Sequence, residues 1–335
     1  MKIDKIIEFG SRFPAVSIYG AGLLGKALAE ILAASDITVQ AFLVSDEQEM
    51  TVTSGLSIPI MSLSSWLAAG CDSQSGILVS VSKSYQEEIV KNLEANHLSD
   101  YLVVSNEALH ESMRRLHPVN PENFIHTINP VSRGFGSERG KPIDRVYIEG
   151  FLREAAQKLR DVRDVLEVGS DAYSRRFFPS SAELIQYDVL RYDCGMDLTD
   201  VSTLPPNKYD VFVCTQVFNF IYDVKAAVHG SYYLLKPGGT LLATVQGNVG
   251  QVSRTDMKLW GDYWRFTDLG IGKLISEVFG ELQVKVYPYG NAFSATAFVQ
   301  GMALEDIPDT KLLEPVESEY AICIGVIAQK KGQLS

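Results

Sequence analysis

Two glycine turns in this chain of 335 residues carry the residue types that hold nucleotides. The more telling one is "DVLEVGSDAYSRRF" at 164–177, where Gly169 ends a strand-like run and is flanked by Glu167 and Ser170. A strand that passes through glycine into a helix offers free amides and the positive end of the helix dipole, which suit an anionic group. Nineteen residues after Gly169, Asp188 in "QYDV" closes the next predicted strand, where a carboxylate can accept both hydroxyls of a ribose. Nine residues further, Asp197 closes "GMDL", a predicted third strand, beside the place of an adenine edge. Each aspartate alone reads as a cap or a turn residue. In succession behind Gly169 they read as one nucleoside crevice at the carboxyl ends of neighbouring strands.

The other turn, "GAGLLG", places Gly20, Gly22 and Gly25 between a strand and a helix, the context in which such spacing has physical meaning. Asp46, in "LVSDEQE" at the end of the following strand, is placed for a ribose hydroxyl. An oxidoreductase or epimerase using NAD(P) is the alternative function this turn suggests. A domain of about a hundred residues lacks the second βαβ half of a full dinucleotide site, and no catalytic Tyr–Lys pair is evident. A scaffold that has lost both ligands is the third reading.

These turns need two sheets to position them. From 15 to 117, β-rich runs ("AVSIYG", "TVQAFLVSD", "GILVSVS", "YLVVS") alternate with amphipathic stretches, which predicts a parallel sheet with right-handed crossovers. Residues 118–145 hold four prolines and three glycines without a period and read as a linker over the active site. From 146 to 335 the alternation resumes with a helix over "VYIEGFLREAAQKLR" and seven strands, the last two joined in antiparallel fashion. The expected fold is α/β, with two Rossmann-like domains (1–117 and 146–335), the second a seven-stranded, mostly parallel sheet with an antiparallel last strand.

Composition narrows the function. The net charge of −11 disfavours binding to a phosphate backbone. Four scattered cysteines point to a reduced, cytoplasmic setting rather than a disulfide framework. The five histidines lack metal-site spacing, so no metal is expected, and Lys26 and Glu30 interrupt the most apolar stretch, so no membrane span is expected either.

Residues 146–331 resemble the class I S-adenosylmethionine-dependent methyltransferases. The resemblance rests on "VLEVG", Asp188, Asp197, "LLKPGGTLLATV" and "GDYWRFTDLGIGKLISEVF". The lead-in "PVSRGFGSERGKPIDRVYIEGFL" is similar to a bacterial group linked to surface-polysaccharide synthesis, and Ser170, Asp171 and Ala172 stand where the family has further glycines. It implies S-adenosylmethionine as cofactor, held by Glu167, Gly169, Ser170, Asp188, Asp197, Thr215, Gln216, Asp144 and Arg145. It implies an acceptor of the sugar, nucleotide-sugar or glycan class over "CTQVFNFIYD" and "ATVQGNVG", lined by Asn219, Phe220, Tyr222, Asn248, Tyr263, Trp264 and Arg265. Asp262 or His229 is the expected general base. The N-terminal part resembles small domains beside sugar-modifying enzymes, which implies a nucleotide-sugar near Gly20, Gly22, Gly25 and Asp46.

Overall fold

The computed structural model describes residues 3–45, 58–71, 75–120, 128–179 and 185–332. The chain forms two compact units: unit 1 is Met1–Lys141 with Gly301–Asp306, and unit 2 is Pro142–Gln300 with Ile307–Ser335.

Unit 1 runs α1 (Ile3–Gly10), β1 (Ala15–Tyr19), α2 (Leu23–Ala33), β2 (Val39–Val44), β3 (Ile60–Ser62), α3 (Leu63–Ala68), β4 (Ser75–Val79), α4 (Lys83–Ala95), β5 (Tyr101–Val103) and α5 (Asn106–Leu116). Its strands are all parallel, in the order β3-β2-β1-β4-β5. Successive residues of one strand feed opposite cores, because side chains alternate across a sheet. Ile18, Phe42 and Leu78 pack with Leu28 and Leu32 of α2, whereas Tyr19, Leu43 and Val79 pack round the buried Trp66. The sequence pattern missed β3, α1, α3 and α5. The helices α3 and α5 start at hydroxyl caps, Ser62 accepting from the Ser65 amide and Ser105 from the Ala108 amide.

Residues 128–141 belong to unit 1 rather than to a free linker. The next helix begins earlier than expected, so Asp144 and Arg145 stand in its first turn and not in the linker.

Unit 2 runs α6 (Ile143–Ala156), β6 (Asp164–Val168), α7 (Ala172–Phe177), β7 (Gln186–Leu190), β8 (Tyr209–Thr215), α8 (Val224–Leu234), β9 (Leu235–Gln246), α9 (Arg254–Leu259), α10 (Asp268–Phe279), β10 (Val284–Tyr289), α11 (Ala292–Val299) and β11 (Cys323–Gln329). The sheet order is β10-β11-β9-β8-β6-β7, and β11 is antiparallel to both its neighbours. The mostly parallel sheet with an antiparallel last strand is therefore present, but with six strands among the described residues instead of seven. "GMDL" is not a strand. Gly195 takes the left-handed conformation (φ 84°), and the Asp197 carboxylate turns back to accept from the Thr199 amide and hydroxyl, both at 2.8 Å. A side chain that hydrogen-bonds its own backbone two residues on makes a turn, not a ladder.

"KPGG" forms a bulge at the start of β9. The β8 partner steps from Leu235 to Thr240 while β8 advances from Tyr209 to Val211. Lys236 in this bulge bridges Asp164 (2.7 Å) and Asp210 (2.8 Å), pinning the amino ends of β6 and β8.

Candidate active site

Gly169 follows β6 with φ 79°, and its amide donates to the Leu190 carbonyl at the end of β7. A Cβ there would meet nothing within 4 Å, so this backbone is open to close approach. Ser170 is likewise exposed. Glu167 is buried, and its carboxylate accepts from the amides of Ser174 (2.7 Å) and Tyr173 (3.3 Å). The expectation of an anion on these helical amides is thus corrected: Glu167 itself occupies the first turn of α7. Burial pushes its carboxyl above the usual range, against the opposing pull of the two amides.

Asp188 is also corrected. It pairs in register with Leu166 inside β7 rather than closing the strand, and its carboxylate accepts from Lys208 (2.6 Å) and Tyr209 (3.0 Å) at the amino end of β8. Its pKa is lowered because these donors outweigh the cost of burial, while the Tyr209 hydroxyl is pushed up to about 12 by burial and by that carboxylate. Asp188 therefore faces the amino end of β8, while Asp197 Oδ1 accepts from Thr199. The first carboxylate past the end of β7 is instead Asp193, paired with Arg191 at 2.5 Å and next to the exposed Tyr192. The signal for it was the strand's true length: β7 runs two residues beyond Asp188.

The polar groups that do gather near the strand ends come from α6, α7, β8, β9 and β11. Arg145 donates to the Tyr173 hydroxyl at 3.0 Å. Asp144 has a buried carboxylate oxygen with no partner, and burial raises its pKa more than the neighbouring Arg145 lowers it. Both interact electrostatically with the buried Cys323, which lies 3.8 Å from the Gln216 amide nitrogen. Gln216 ends β8 at φ 56°, unusual for a side chain with a Cβ, and is fixed there by its amide bond to the Thr244 carbonyl at 2.7 Å. Thr215 pairs with Thr244, whose hydroxyl is buried without a partner. A free carboxylate oxygen beside a guanidinium, with a strained strand end next to them, suits a zwitterionic ligand.

Asn219, buried, follows β8, and its carbonyl accepts from the amides of Tyr263 (2.9 Å) and Trp264 (3.2 Å). Phe220 completes the turn after β8. Tyr222 packs against Tyr263 (5.3 Å) and stacks on Trp264 (6.0 Å), and all three rings are exposed. The Asn248 side-chain amide donates to the Glu319 carbonyl at 3.5 Å. The two expected bases are not placed as bases. His229 is exposed in mid-α8. Asp262 is 1% exposed and grips Arg265 in a two-pronged pair (2.6 and 2.8 Å) while accepting from the Ser253 amide. Burial alone would raise its pKa, but the hydrogen bonds from Arg265 and Ser253 take it below the usual carboxylate range. Arg265 donates from Nη1 and Nη2 to that carboxylate and to the carbonyls of Trp264 and Gln251, while its buried Nε has no partner among the described residues.

The segment that follows β9 makes a strap. It includes α9, and Trp260 then meets Tyr192, past the end of β7, at 6.2 Å edge to face. Tyr263 and Trp264 return to the end of β8, and the Phe266 amide returns to Gln246 of β9 at 3.1 Å. Because β6 lies between β8 and β7, the strap crosses the carboxyl end of β6, where Gly169 is open. Trypsin should cut the strap at the exposed Arg254 and Lys258 of α9, and a ligand beneath it should slow that cleavage several-fold in a timed digest. Equal rates with and without saturating ligand would show that the strap does not sense the crevice.

Residues 150–243 match the family model described as "Methyltransferase domain". The matched residues lie within unit 2 and run from α6 into β9. Among solved structures, this chain is similar to a SAM-dependent methyltransferase from Archaeoglobus fulgidus, with a TM-score of 0.37 and 11% identity over 56% of this chain and 94% of that one. It is also similar to the N-methyltransferase NodS from Bradyrhizobium japonicum WM9 in complex with S-adenosyl-L-homocysteine, with a TM-score of 0.35 and 13% identity over 66% of this chain and 98% of that one. A third is the [4+2]-cyclase SpnF, with a TM-score of 0.34 and 16% identity over 56% of this chain and 81% of that one. No curated protein matches the sequence. Among the described residues, no helix is long and apolar enough to cross a membrane.

The second glycine turn lies in unit 1. A Cβ on Gly20 would stand 2.4 Å from the Ser80 carbonyl oxygen, and one on Gly25 only 1.8 Å from that of Gly20. Gly22 faces open space. Tight turn, open approach and close helix packing are the three separate tasks of this glycine spacing. Asp46 lies outside the described residues.

Proposed function

We propose that this chain is an S-adenosylmethionine-dependent methyltransferase acting on a sugar, nucleotide-sugar or glycan precursor, with Asp144, Arg145, Gly169, Ser170, Thr215 and Gln216 holding the methionine end of the cofactor. The observation that carries the acceptor class is the exposed aromatic group Tyr222–Tyr263–Trp264 beside the end of β8. Rings that keep open faces at a site mouth suit the apolar face of a sugar, as ligand sites commonly combine aromatic walls with few polar groups. Asn219 and Asn248 supply amides to its hydroxyls.

S-adenosylmethionine supplies a methyl group already activated on a sulfonium. The chain's own task is therefore positioning and exclusion of water. The unpartnered oxygen of Asp144 fits an ammonium, and the Arg145 guanidinium fits a carboxylate, each gaining a charge-assisted partner on binding. Asp193 stands where a hydroxyl acceptor past β7 is needed, in place of Asp188 and Asp197.

S-adenosylhomocysteine should raise the melting temperature of the purified chain, by about 2.7 kcal/mol of stabilisation at a hundredfold excess over Kd. Asp144→Asn should weaken that binding at least tenfold. A wild-type protein with no shift at millimolar ligand overturns the cofactor assignment. Methyl transfer to protein or a small amine, but to no saccharide, overturns the acceptor class. For unit 1 the favoured reading is a nucleotide-sugar at Gly20, Gly22 and Gly25, where β1 lies between β2 and β4 and the strand order reverses. The expected lack of a second half is corrected by β4 and β5 on the far side of β1.

A further inference from the structure

Glu138 is 7% exposed, and its Oε2 is buried with no hydrogen-bond partner. It belongs to the part of unit 1 contributed by residues 128–141. A Cβ built on Gly134 would lie 3.2 Å from this oxygen and 2.4 Å from Cδ2 of Leu23, the first residue of α2. The unpartnered carboxylate thus stands beside the start of α2, directly after the open Gly22. The hairpin that holds it is fixed by the Ser132 hydroxyl, which accepts from the amides of Gly134 (2.9 Å) and Gly136 (3.2 Å).

At α2 itself, an eleven-residue helix, Gly22 is the N-cap and no side chain caps the first turn. Uncapped amides want an acceptor, and the dipole favours that acceptor being negative. A buried carboxylate oxygen wants a donor, and leaving it without one costs roughly 1–3 kcal/mol or more. One chemical group meets both demands across the gap: a phosphate ester whose sugar carries a hydroxyl close to the phosphate. Bare phosphate fits less well, because it brings no sugar hydroxyl to reach Glu138 and sets all of its charge beside that carboxylate.

We infer that unit 1 holds a sugar phosphate, alone or within a nucleoside diphosphate sugar, with its phosphate on the amides after Gly22 and a sugar hydroxyl donating to Glu138. This rests on, and deepens, the reading of Gly20, Gly22 and Gly25 as a nucleotide-sugar turn. It also gives residues 128–141 a task in unit 1.

Calorimetric titration of the full chain with UDP-glucose, glucose 1-phosphate and inorganic phosphate tests it. The two sugar probes should bind saturably, and inorganic phosphate at least tenfold more weakly. Tighter binding of UDP-glucose than of glucose 1-phosphate identifies the nucleoside diphosphate sugar as the source, and equal binding identifies the sugar phosphate. Glu138→Gln should weaken both sugar probes at least tenfold. Gly22→Val, whose added carbons meet open space in the free protein, should abolish binding of all three. Neither variant should change the response to S-adenosylhomocysteine, which reports unit 2, or the calorimetric unfolding transition of unit 1, which verifies that unit 1 is folded. No binding of either sugar probe at about 10 mM overturns the inference and the turn reading together. Binding that Gly22→Val abolishes and Glu138→Gln leaves unchanged overturns the hydroxyl assignment alone.

Discussion

Asp306→Ala should destabilise unit 1 by about 3–5 kcal/mol, the largest single effect expected in the chain. The Arg139 and Asp306 side chains are 1% and 4% exposed. Arg139 Nε and Nη2 donate to the two carboxylate oxygens at 2.8 and 2.9 Å, and Nη1 donates to the His117 carbonyl at 3.0 Å. Asp306 also accepts from the Ala303 amide at 2.9 Å, which folds residues 301–306 on themselves. Removing the carboxylate leaves a guanidinium buried with one carbonyl and no counter-charge, and water cannot reach it to compensate. Calorimetry should show the unit 1 transition falling by roughly 10 °C or more, at about 2–4 °C for each kcal/mol. Stabilisation by S-adenosylhomocysteine should survive, since its proposed residues lie in unit 2. A loss below about 1 kcal/mol would mean that the pair is replaceable and that residues 301–306 hold to unit 1 by packing alone.

Arg139 and Asp306 are 167 positions apart, and nothing local in "SERGKPIDR" or "LEDIPD" announces that they meet. What could be read locally was read correctly: the strand "DVLEVG" and the antiparallel end of the second sheet follow from periodicity and turn chemistry. Errors arose where a polar side chain had a choice of partner. Asp188 and Asp197 carry the right charge at the right spacing, yet Lys208, Tyr209 and Thr199 claim them. Glu167 was expected near the ligand and instead satisfies the amides of α7. Asp144 and Arg145 were seen, though as part of a linker. Their placement beside Cys323 depends on β11 entering the middle of the sheet, a long-range fact. Tyr192 and Trp260 escaped notice because an exposed ring has no period in the sequence, and only the strand order shows what passes over β6.

The same competition for partners decides what Asp262 does, and its variants separate a base from a clamp. A general base must lose its function when changed to Asn, because the amide cannot take a proton, and its pKa should appear in the pH profile of kcat/KM. A clamp needs only hydrogen-bond acceptors. Asp262 has no spare capacity for chemistry: one oxygen meets Arg265 Nη1, and the other meets Nη2 and the Ser253 amide. Asp262→Ala should therefore cost about 3 kcal/mol, leaving Arg265, itself only 20% exposed, without its anion. It should also raise KM for the acceptor at least tenfold, because Tyr263 and Trp264 lie within the clamped turn. Asp262→Asn should keep kcat within about threefold, with an unshifted pH profile. The sign of the pH effect on stability follows from the lowered pKa. The pair contributes fully above the unfolded carboxyl value of about 3.9, and that contribution is lost as pH falls through the folded value. Neutral and mildly alkaline assays thus see an intact clamp. An Asp262→Asn enzyme that folds normally, binds acceptor with unchanged KM and loses kcat by a hundredfold or more would return Asp262 to the role of base. Retained kcat with a raised KM in the alanine variant assigns it to positioning the aromatic mouth.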